Sequence, residues 1–325
     1  MKKFLSTTLV ALLIVSLFLM ARCGRKNATL KFGAGVYVST PTTTDATADK
    51  EGTGKVDVTV AAVTVDADGK IVACQLDTMS NSVSFDKDGK AIAVESFKTK
   101  YEAGKDYNMV KDGAKKEWFE QADAFETVVA GKTLDEVKAL VAEGNKGNSD
   151  VVNAGCTIKI NEFVGAIEKA YNAAKDSDVT AENTLKVTAV TEQTCTDATA
   201  EKDGSNKVST TVFAAAVDAD GKVVTASSDC VEVSFTFSKK GASTLDTTKA
   251  VLSKQEQGTN YDMVKDDAKK EWFEQAAAFD AACVGKTATE IKALMANDGK
   301  GVEDLQTAGC TIYVTGFVKA AEKIG

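Results

Sequence analysis

The sequence contains the same unit twice, and this duplication is the strongest constraint on its fold. The string Ala154-Gly-Cys-Thr157 returns as Ala308-Gly-Cys-Thr311, 154 residues later. Upstream, the block 107–122 returns as 261–276 with the same spacing. Core packing conserves volume and hydrophobicity, but it does not require identical small and polar residues. We therefore expect two domains of one design, each with the same site near its Gly-Cys-Thr string.

The domain boundaries follow from aligning the two halves. Equivalent residues of the two halves are 152 positions apart from Lys55 and Lys207 onward, and 154 positions apart from Gly104 and Gly258 onward. A two-residue insertion in the second half therefore lies between these two points. A chain of 325 residues has the length of about two ordinary domains. We predict a first domain at 27–174, a polar linker at 175–183 and a second domain at 184–325.

Each domain begins with strand-like patterns. Alternating runs at 55–60 and 71–76 flank an Asp-Gly turn, which predicts a β-hairpin. A third strand is predicted at 82–85. The acidic turns at 66–69 and 86–89 resemble the start of a calcium loop, but they lack the glutamate at loop position twelve. We interpret both as hairpin turns.

The second part of each domain has helical periodicity. One apolar stripe predicts a helix that ends before Gly131, and capping boxes at Thr133–Glu136 and Thr287–Glu290 predict a short helix in each domain. A short strand at 158–160 and a closing helix follow. The predicted fold class is α+β: two tandem homologous domains, each a small antiparallel sheet packed with helices. The residues predicted to face the first core are Trp118, Ala122, Phe125, Val129, Phe163, Ile167 and Tyr171.

Composition excludes several classes of function. The chain has no histidine, which removes His-based catalytic triads, His-ligated haem and most zinc sites. Its net charge is −8, and an acidic surface repels phosphate backbones, so nucleic acid is not an expected partner. Composition by itself leaves open whether the chain is an enzyme.

The first 22 residues have the pattern of an export signal. Lys2 and Lys3 precede an apolar run at 9–20, which is short for a membrane span. The run ends at a sequence resembling a bacterial lipobox, in which Cys23 would be diacylated, for example with palmitate. Arg22 departs from the small residue usual there, and an unmodified or discarded Cys23 is the alternative. A short apolar pheromone released from this signal would lie somewhere within Val10–Arg22, with an ordinary signal remnant as the alternative.

Six cysteines follow Cys23, and an even number in an exported protein is compatible with disulfides. A Cys74–Cys156 bridge and a Cys230–Cys310 bridge are both conceivable, and connectivity stays open. There is no Cys-x-x-Cys motif, which argues against a thioredoxin-like site or an iron–sulfur cluster.

The repeated strings resemble the attachment motif of the FMN-binding domain family. In that family a Ser/Thr-Gly-Ala-Thr motif carries FMN, esterified through its phosphate to the last threonine by a flavin transferase. This chain matches at the glycine and the threonine, with alanine first and cysteine third. From the residues alone, a tight turn that needs glycine is the alternative reading. Two such domains behind a lipoprotein signal are similar to lipoproteins of Gram-positive extracellular electron transfer.

The resemblance implies two covalent FMN groups, on Thr157 and Thr311. Small neighbours at Gly155, Cys156, Gly309 and Cys310 would leave the threonines accessible. A repeated set of aromatic and basic residues would contact the isoalloxazine ring or the phosphate, although the tryptophans equally suit a core. We expect these additional flavin-contacting residues to be Tyr107, Lys111, Trp118, Tyr261, Lys265 and Trp272.

The expected function is that of a lipid-anchored electron carrier on the extracytoplasmic face of the cell membrane, typical of a Gram-positive surface. It would take electrons from a membrane NADH dehydrogenase or the quinone pool and pass them to extracellular acceptors such as ferric iron or free flavin. The alternative is a cofactor-free surface lipoprotein, stabilised by disulfides, that binds a partner.

Overall fold

The structure is a computed structural model that describes residues 28–266 and 268–325, and its fold is α+β. The predicted signal peptide, the predicted lipidation site Cys23 and the predicted pheromone segment lie outside these residues. Two antiparallel sheets lie face to face, and helices cover the outer face of each sheet. The α+β prediction is confirmed.

The first sheet has the strand order β5-β4-β3-β1-β6, with β2 paired to β3, and the second has the order β7-β8-β9. All pairs are antiparallel. The strands of the first sheet are β1 (Leu30–Val38), β2 (Thr42–Thr44), β3 (Gly52–Val65), β4 (Ile71–Phe85), β5 (Ala91–Ile92) and β6 (Lys175–Val179). Those of the second are β7 (Thr184–Thr196), β8 (Gly204–Val217) and β9 (Val223–Phe237).

Each domain contributes five α-helices within the described residues, in matching order. The first domain has α1 (Lys100–Ala103), α2 (Trp118–Val129), α3 (Leu134–Lys138), α4 (Ser149–Ala154) and α5 (Asn161–Ala173). The second has α6 (Lys254–Gln257), α7 (Trp272–Cys283), α8 (Ala288–Lys292), α9 (Glu303–Thr307) and α10 (Thr315–Ala321). Helix α2 has the predicted start and end, and the capping boxes of α3 and α8 form as predicted.

Three local predictions differ from the structure. Residues 82–85 are the end of β4 and do not form a third strand, because the pairing with β3 continues from Ile71 to Phe85. The linker at 175–183 is partly ordered as β6, which pairs with β1. The strand predicted at 158–160 is reduced to one bridge between Lys146 and Lys159. The hairpin turns at 66–69 and 86–89 form as predicted, with Asp66 and Asp86 accepting backbone N–H groups.

The central strand β3 is buried on both faces, and this explains its nearly continuous apolar sequence. Val56, Val58 and Val60 point towards the second domain, where they pack in a shared apolar cluster. Val63 and Val65 point the other way, under the helices of their own domain. Each domain therefore buries one face of its sheet against its own helices and the other against its neighbour.

The interface between the domains has approximate twofold symmetry. Phe85 stacks on its own equivalent Phe237, with ring centroids 4.3 Å apart and planes 7° apart. The Ala46 amide donates to the Gly241 carbonyl, and the Ala198 amide donates to the Gly89 carbonyl, both at 2.7 Å. Exchanging the two domains maps each of these bonds onto the other. The repeats therefore contact each other as the subunits of a symmetric dimer would.

Two ion pairs across the interface follow the same symmetry. Lys169 pairs with Glu256, and its equivalent Lys323 pairs with Glu102, both at 2.6 Å. Each of these side chains is about one-third exposed, so the pairs contribute modestly to stability and mainly fix orientation.

A carboxyl group at equivalent places ties a helix to its sheet in each domain. Glu126 on α2 accepts the Leu76 amide at 2.7 Å, and Asp280 on α7 accepts the Ser228 amide at 3.0 Å. Burial raises the pKa of Glu126 to about 8 and that of Asp280 to about 7. Both carboxyls are therefore more easily protonated in the folded chain than in the unfolded one.

These raised pKa values predict that stability falls as pH rises. Between pH 4 and 7 the native state binds a proton at Asp280 that the unfolded chain releases. The stabilisation that this proton gives is complete below pH 4 and is lost as the pH passes 7. Asp280→Asn keeps an acceptor for the Ser228 amide and removes the titration. We expect the loss of unfolding free energy between pH 5 and 8 to shrink by about 1–3 kcal/mol in this variant. Urea denaturation at both pH values measures it.

The matched control is Asp112→Asn, at an exposed position with no buried contact. This variant should keep the wild-type pH dependence. An Asp280→Asn protein with the same loss as wild type would contradict the assignment.

Candidate functional site

The Gly-Cys-Thr string ends a short helix in each domain. Gly155 follows α4 with φ of 108°, and Gly309 follows α9 with φ of 107°. In the first domain the Gly155 amide donates to Val152 and the Cys156 amide to Val151, at 3.0 and 3.1 Å. This is the Schellman pattern of helix termination, which favours glycine because its φ is positive. The tight-turn reading therefore explains the glycine.

The cysteine after the glycine is a buried apolar contact of this helix end. Cys156 and Cys310 are fully buried and pack with the core of their own domain. Burial raises the pKa of both thiols to about 11, so they stay protonated and unreactive at neutral pH. The cysteine is therefore a packing residue and does not supply a nucleophile.

The threonine is exposed, in contrast to the cysteine before it. The Thr157 amide and hydroxyl both donate to Oε1 of Gln121, at 2.8 and 3.0 Å. Thr311 makes the same two bonds to Gln275, at 2.8 and 3.0 Å. A carboxamide oxygen has two lone pairs, so the backbone amide takes one and the threonine hydroxyl takes the other. Helix-end geometry accounts for the glycine and the cysteine, whereas the hydroxyl adds the second bond to a glutamine that the amide already holds.

The glutamine that holds the threonine is itself fixed. Gln121 is 1% exposed on the first turn of α2, and its Nε2 donates to the Lys116 carbonyl at 3.0 Å. Gln275 repeats this bond to the Lys270 carbonyl at 3.0 Å. The amide group thus joins the chain before the helix to the threonine loop, and it sets the position of the exposed hydroxyl.

A lysine side chain lies over the glycine of each site. Nζ of Lys116 is 3.5 Å from the Ala154 carbonyl, and Nζ of Lys270 is 3.2 Å from the Ala308 carbonyl. A Cβ added to Gly155 would lie 2.2 Å from the Lys116 ammonium, and the distance at Gly309 is also 2.2 Å. The backbone angle is what requires glycine here, and a Cβ at this position would only displace the flexible lysine side chain.

The predicted tryptophans belong to the cores. Trp118 and Trp272 are each 4% exposed and lie against Phe163 and Phe317, with ring centroids 5.6 Å apart in both pairs. So little exposed area leaves no free ring face for a flavin to stack on.

The predicted tyrosines lie nearer the surface, each with a largely buried lysine over its ring. Lys100 Nζ is 5.7 Å from the ring centre of Tyr107 and 5.7 Å from that of Trp118. Lys254 repeats the arrangement with Tyr261 at 4.8 Å and Trp272 at 5.6 Å. These lysines have carboxylate partners, Asp57 and Glu232, both at 3.3 Å.

The predicted lysines Lys111 and Lys265 do not join the threonines through any contact among the described residues. Both are exposed, and Lys265 pairs with Asp262 at 3.5 Å. The lysine of the site is instead Lys116 or Lys270, which the sequence suggests only as part of a solvated Lys-Lys pair. Gln121 and Gln275 were also missed, although their repetition inside the Trp-Phe-Glu-Gln-Ala block was a usable signal.

The two bridges that the sequence left open do not form among the described residues. All six cysteines from Cys74 to Cys310 are free thiols. Cys74 packs against the same core cluster as Cys156, and Cys230 lies in the same cluster as Cys310, but neither pair is bonded.

Two cavities lie elsewhere. One has a volume of about 690 Å³ and lies between the domains, beside β1, β9 and α7. A second cavity of about 320 Å³ occupies the related position beside β4 and β7. Neither is lined by the threonines or by the other predicted site residues, and we do not assign the function to them.

Comparison with known proteins returns no match to a protein family, a curated protein or a solved structure. Among the described helices, none has the length and apolar character needed to cross a membrane.

The hydrogen-bond pattern predicts that the hydroxyl is dispensable for folding. Thr157→Val keeps the amide bond to Gln121, so the unfolding free energy should change by less than about 1 kcal/mol. Gln121→Leu removes both acceptor and donor and should cost about 1–3 kcal/mol. Chemical denaturation compares the two variants. Equal destabilisation would show that the hydroxyl is a structural group.

The thiols predict a specific labelling pattern. In the native protein, alkylation at pH 7.5 should reach exposed Cys195 first and leave Cys156 and Cys310 unmodified. In denaturant without reductant, all six described cysteines should react. Peptide mapping identifies each site, and an unreactive pair in denaturant would reveal a disulfide.

Proposed function

We propose that the protein is an extracytoplasmic electron carrier with one FMN attached covalently to Thr157 and one to Thr311. The observation that carries this proposal is the exposed threonine hydroxyl, held in the same way by Gln121 and Gln275 in both domains. We expect folding to tolerate the loss of that hydroxyl, since the backbone amide also bonds the glutamine. A modification that uses the hydroxyl explains why it is repeated.

The residues around the threonine suit such a linkage. Gly155 and Gly309 carry no side chain, and Cys156 and Cys310 turn inward, so nothing at these positions crowds the hydroxyl. A lysine ammonium lies beside each site. The groups described at this site are a threonine hydroxyl, a glutamine carboxamide and a lysine ammonium. They include no usual metal ligand, and they suit a phosphoester. Bound FMN would supply one- and two-electron redox chemistry that the amino acids of this chain lack.

The linkage can form if a flavin dinucleotide donates the FMN group. The threonine oxygen bonds to the phosphorus next to riboflavin, the P–O bond of the pyrophosphate breaks, and a nucleoside monophosphate leaves. The hydroxyl proton passes to a base of the transferase or to water. The protein contributes the positioned hydroxyl, and an FMN transferase would be its partner for this step.

The twofold arrangement places the two threonines in the outer helical layers, with both sheets between them. Each layer adds on the order of 10 Å, so the two sites should load and react independently. Diacylation of Cys23 would hold the protein at the membrane, within reach of an NADH dehydrogenase or the quinone pool. Ferric iron or free flavin would accept electrons at the exposed sites.

Intact-mass analysis after co-expression with a flavin transferase tests the proposal. The wild type should be yellow and carry two FMN phosphoesters. Thr157→Val and Thr311→Val should each carry one, and the double variant none. A colourless wild type with unmodified threonines would support the cofactor-free surface lipoprotein instead. That alternative would have to function without disulfides among the described residues.

A further inference from the structure

We propose that Lys116 and Lys270 form a phosphate-binding position beside Thr157 and Thr311. This inference rests on the proposed function and deepens it, because it names the group that would neutralise the phosphodiester holding each FMN.

The position of the ammonium is closely defined in both domains. Its distance to a Cβ built on the glycine is 2.2 Å at both sites, and its distance to the preceding carbonyl is 3.5 Å at Lys116 and 3.2 Å at Lys270. The same lysine receives, at its own carbonyl, the hydrogen bond from the glutamine that holds the threonine. The backbone of this lysine and the threonine hydroxyl are therefore held by one glutamine, and the ammonium lies against the carbonyl at the end of the helix.

These two lysines lack a carboxylate partner among the described residues, although the chain as a whole is acidic. The more deeply placed Lys100 and Lys254, by contrast, are paired with Asp57 and Glu232. An ammonium has three donors, and the carbonyl of Ala154 or Ala308 takes one of them. Two N–H donors and the positive charge of the ammonium remain for a ligand.

Capping of the helix by lysine is the structural alternative. A lysine near the last carbonyls of a helix gives a modest stabilisation, and α4 and α9 are short. Capping alone would require only a long cationic side chain and would not influence the threonine. A phosphate role requires the charge during ester formation and in the finished diester, which carries one negative charge.

The rate of flavin attachment separates these roles. In a Thr311→Val background, only Thr157 can be loaded, so intact mass reports one site. We expect Lys116→Gln to slow loading about five- to tenfold, because a charge-assisted hydrogen bond at a partly exposed site is lost. Lys116→Arg should restore most of the rate.

Lys115→Gln is the matched control. It removes the same charge from the neighbouring exposed residue, which makes no described contact with the threonine loop, so loading should stay at the parent rate. The mirror experiment uses Thr157→Val with Lys270→Gln and with Lys269→Gln. Thermal denaturation of the unloaded proteins checks that every variant folds.

The phosphorus-31 resonance of the loaded protein gives a second readout. Lys116→Gln, loaded to completion, should shift this resonance, and Lys115→Gln should leave it in place. If Lys116→Gln loads as fast as Lys115→Gln and gives the same resonance, the lysine proposal is overturned while covalent FMN stands. A wild type that gains no flavin overturns both.

Discussion

Packing of the two sheets against each other is the constraint on which the rest of the structure depends. Val58 and Val60 of the first sheet meet Val212 and Val231 of the second in one apolar cluster. Phe85 and Phe237 stack where the approximate twofold axis passes. Because this packing uses the inner face of each sheet, each domain has only its outer face left for helices. The helices, and with them the threonine loops, are placed on the outside of the molecule.

Comparison of the two repeats shows which residues and contacts are the same in both and which differ. Positions that only fill space can differ between the repeats, since Cys283 replaces Val129. A polar contact can be lost as well: Asp123 accepts the Tyr101 hydroxyl, and Ala277 takes its place in the second domain. Carboxylates can even change strand, since Asp57 on β3 and Glu232 on β9 serve the equivalent lysines. At the threonine loop the glycine φ angles are 108° and 107°, and the lysine–carbonyl distances are 3.5 and 3.2 Å. The bonds and ion pairs between the domains repeat as closely, so the threonine loop belongs to the framework that both copies keep.

The local elements were readable from the sequence where one short-range rule decides the structure. The Asp-Gly turn fixed the β3–β4 hairpin, and the apolar stripe with Glu117 before it defined α2. Predictions failed where partners distant in the sequence decide. Residues 82–85 continue β4 because β3 extends to Gly52, and the polar segment at 175–179 pairs with β1. The disulfide prediction failed because cysteine count says nothing about which thiols come together.

The sequence by itself determined that there are two copies of one domain, that each is α+β, and that Thr157 and Thr311 are equivalent. It did so because repetition and hydrophobic period are properties of the chain alone. Only the tertiary structure decided which residues surround the threonines. Gln121 and Lys116 lie about forty residues before Thr157 in the chain, and they reach it only because α2 packs beside the end of α4. The same packing buried the tryptophans and left Lys111 without contact to the site, a distinction that residue type could not make.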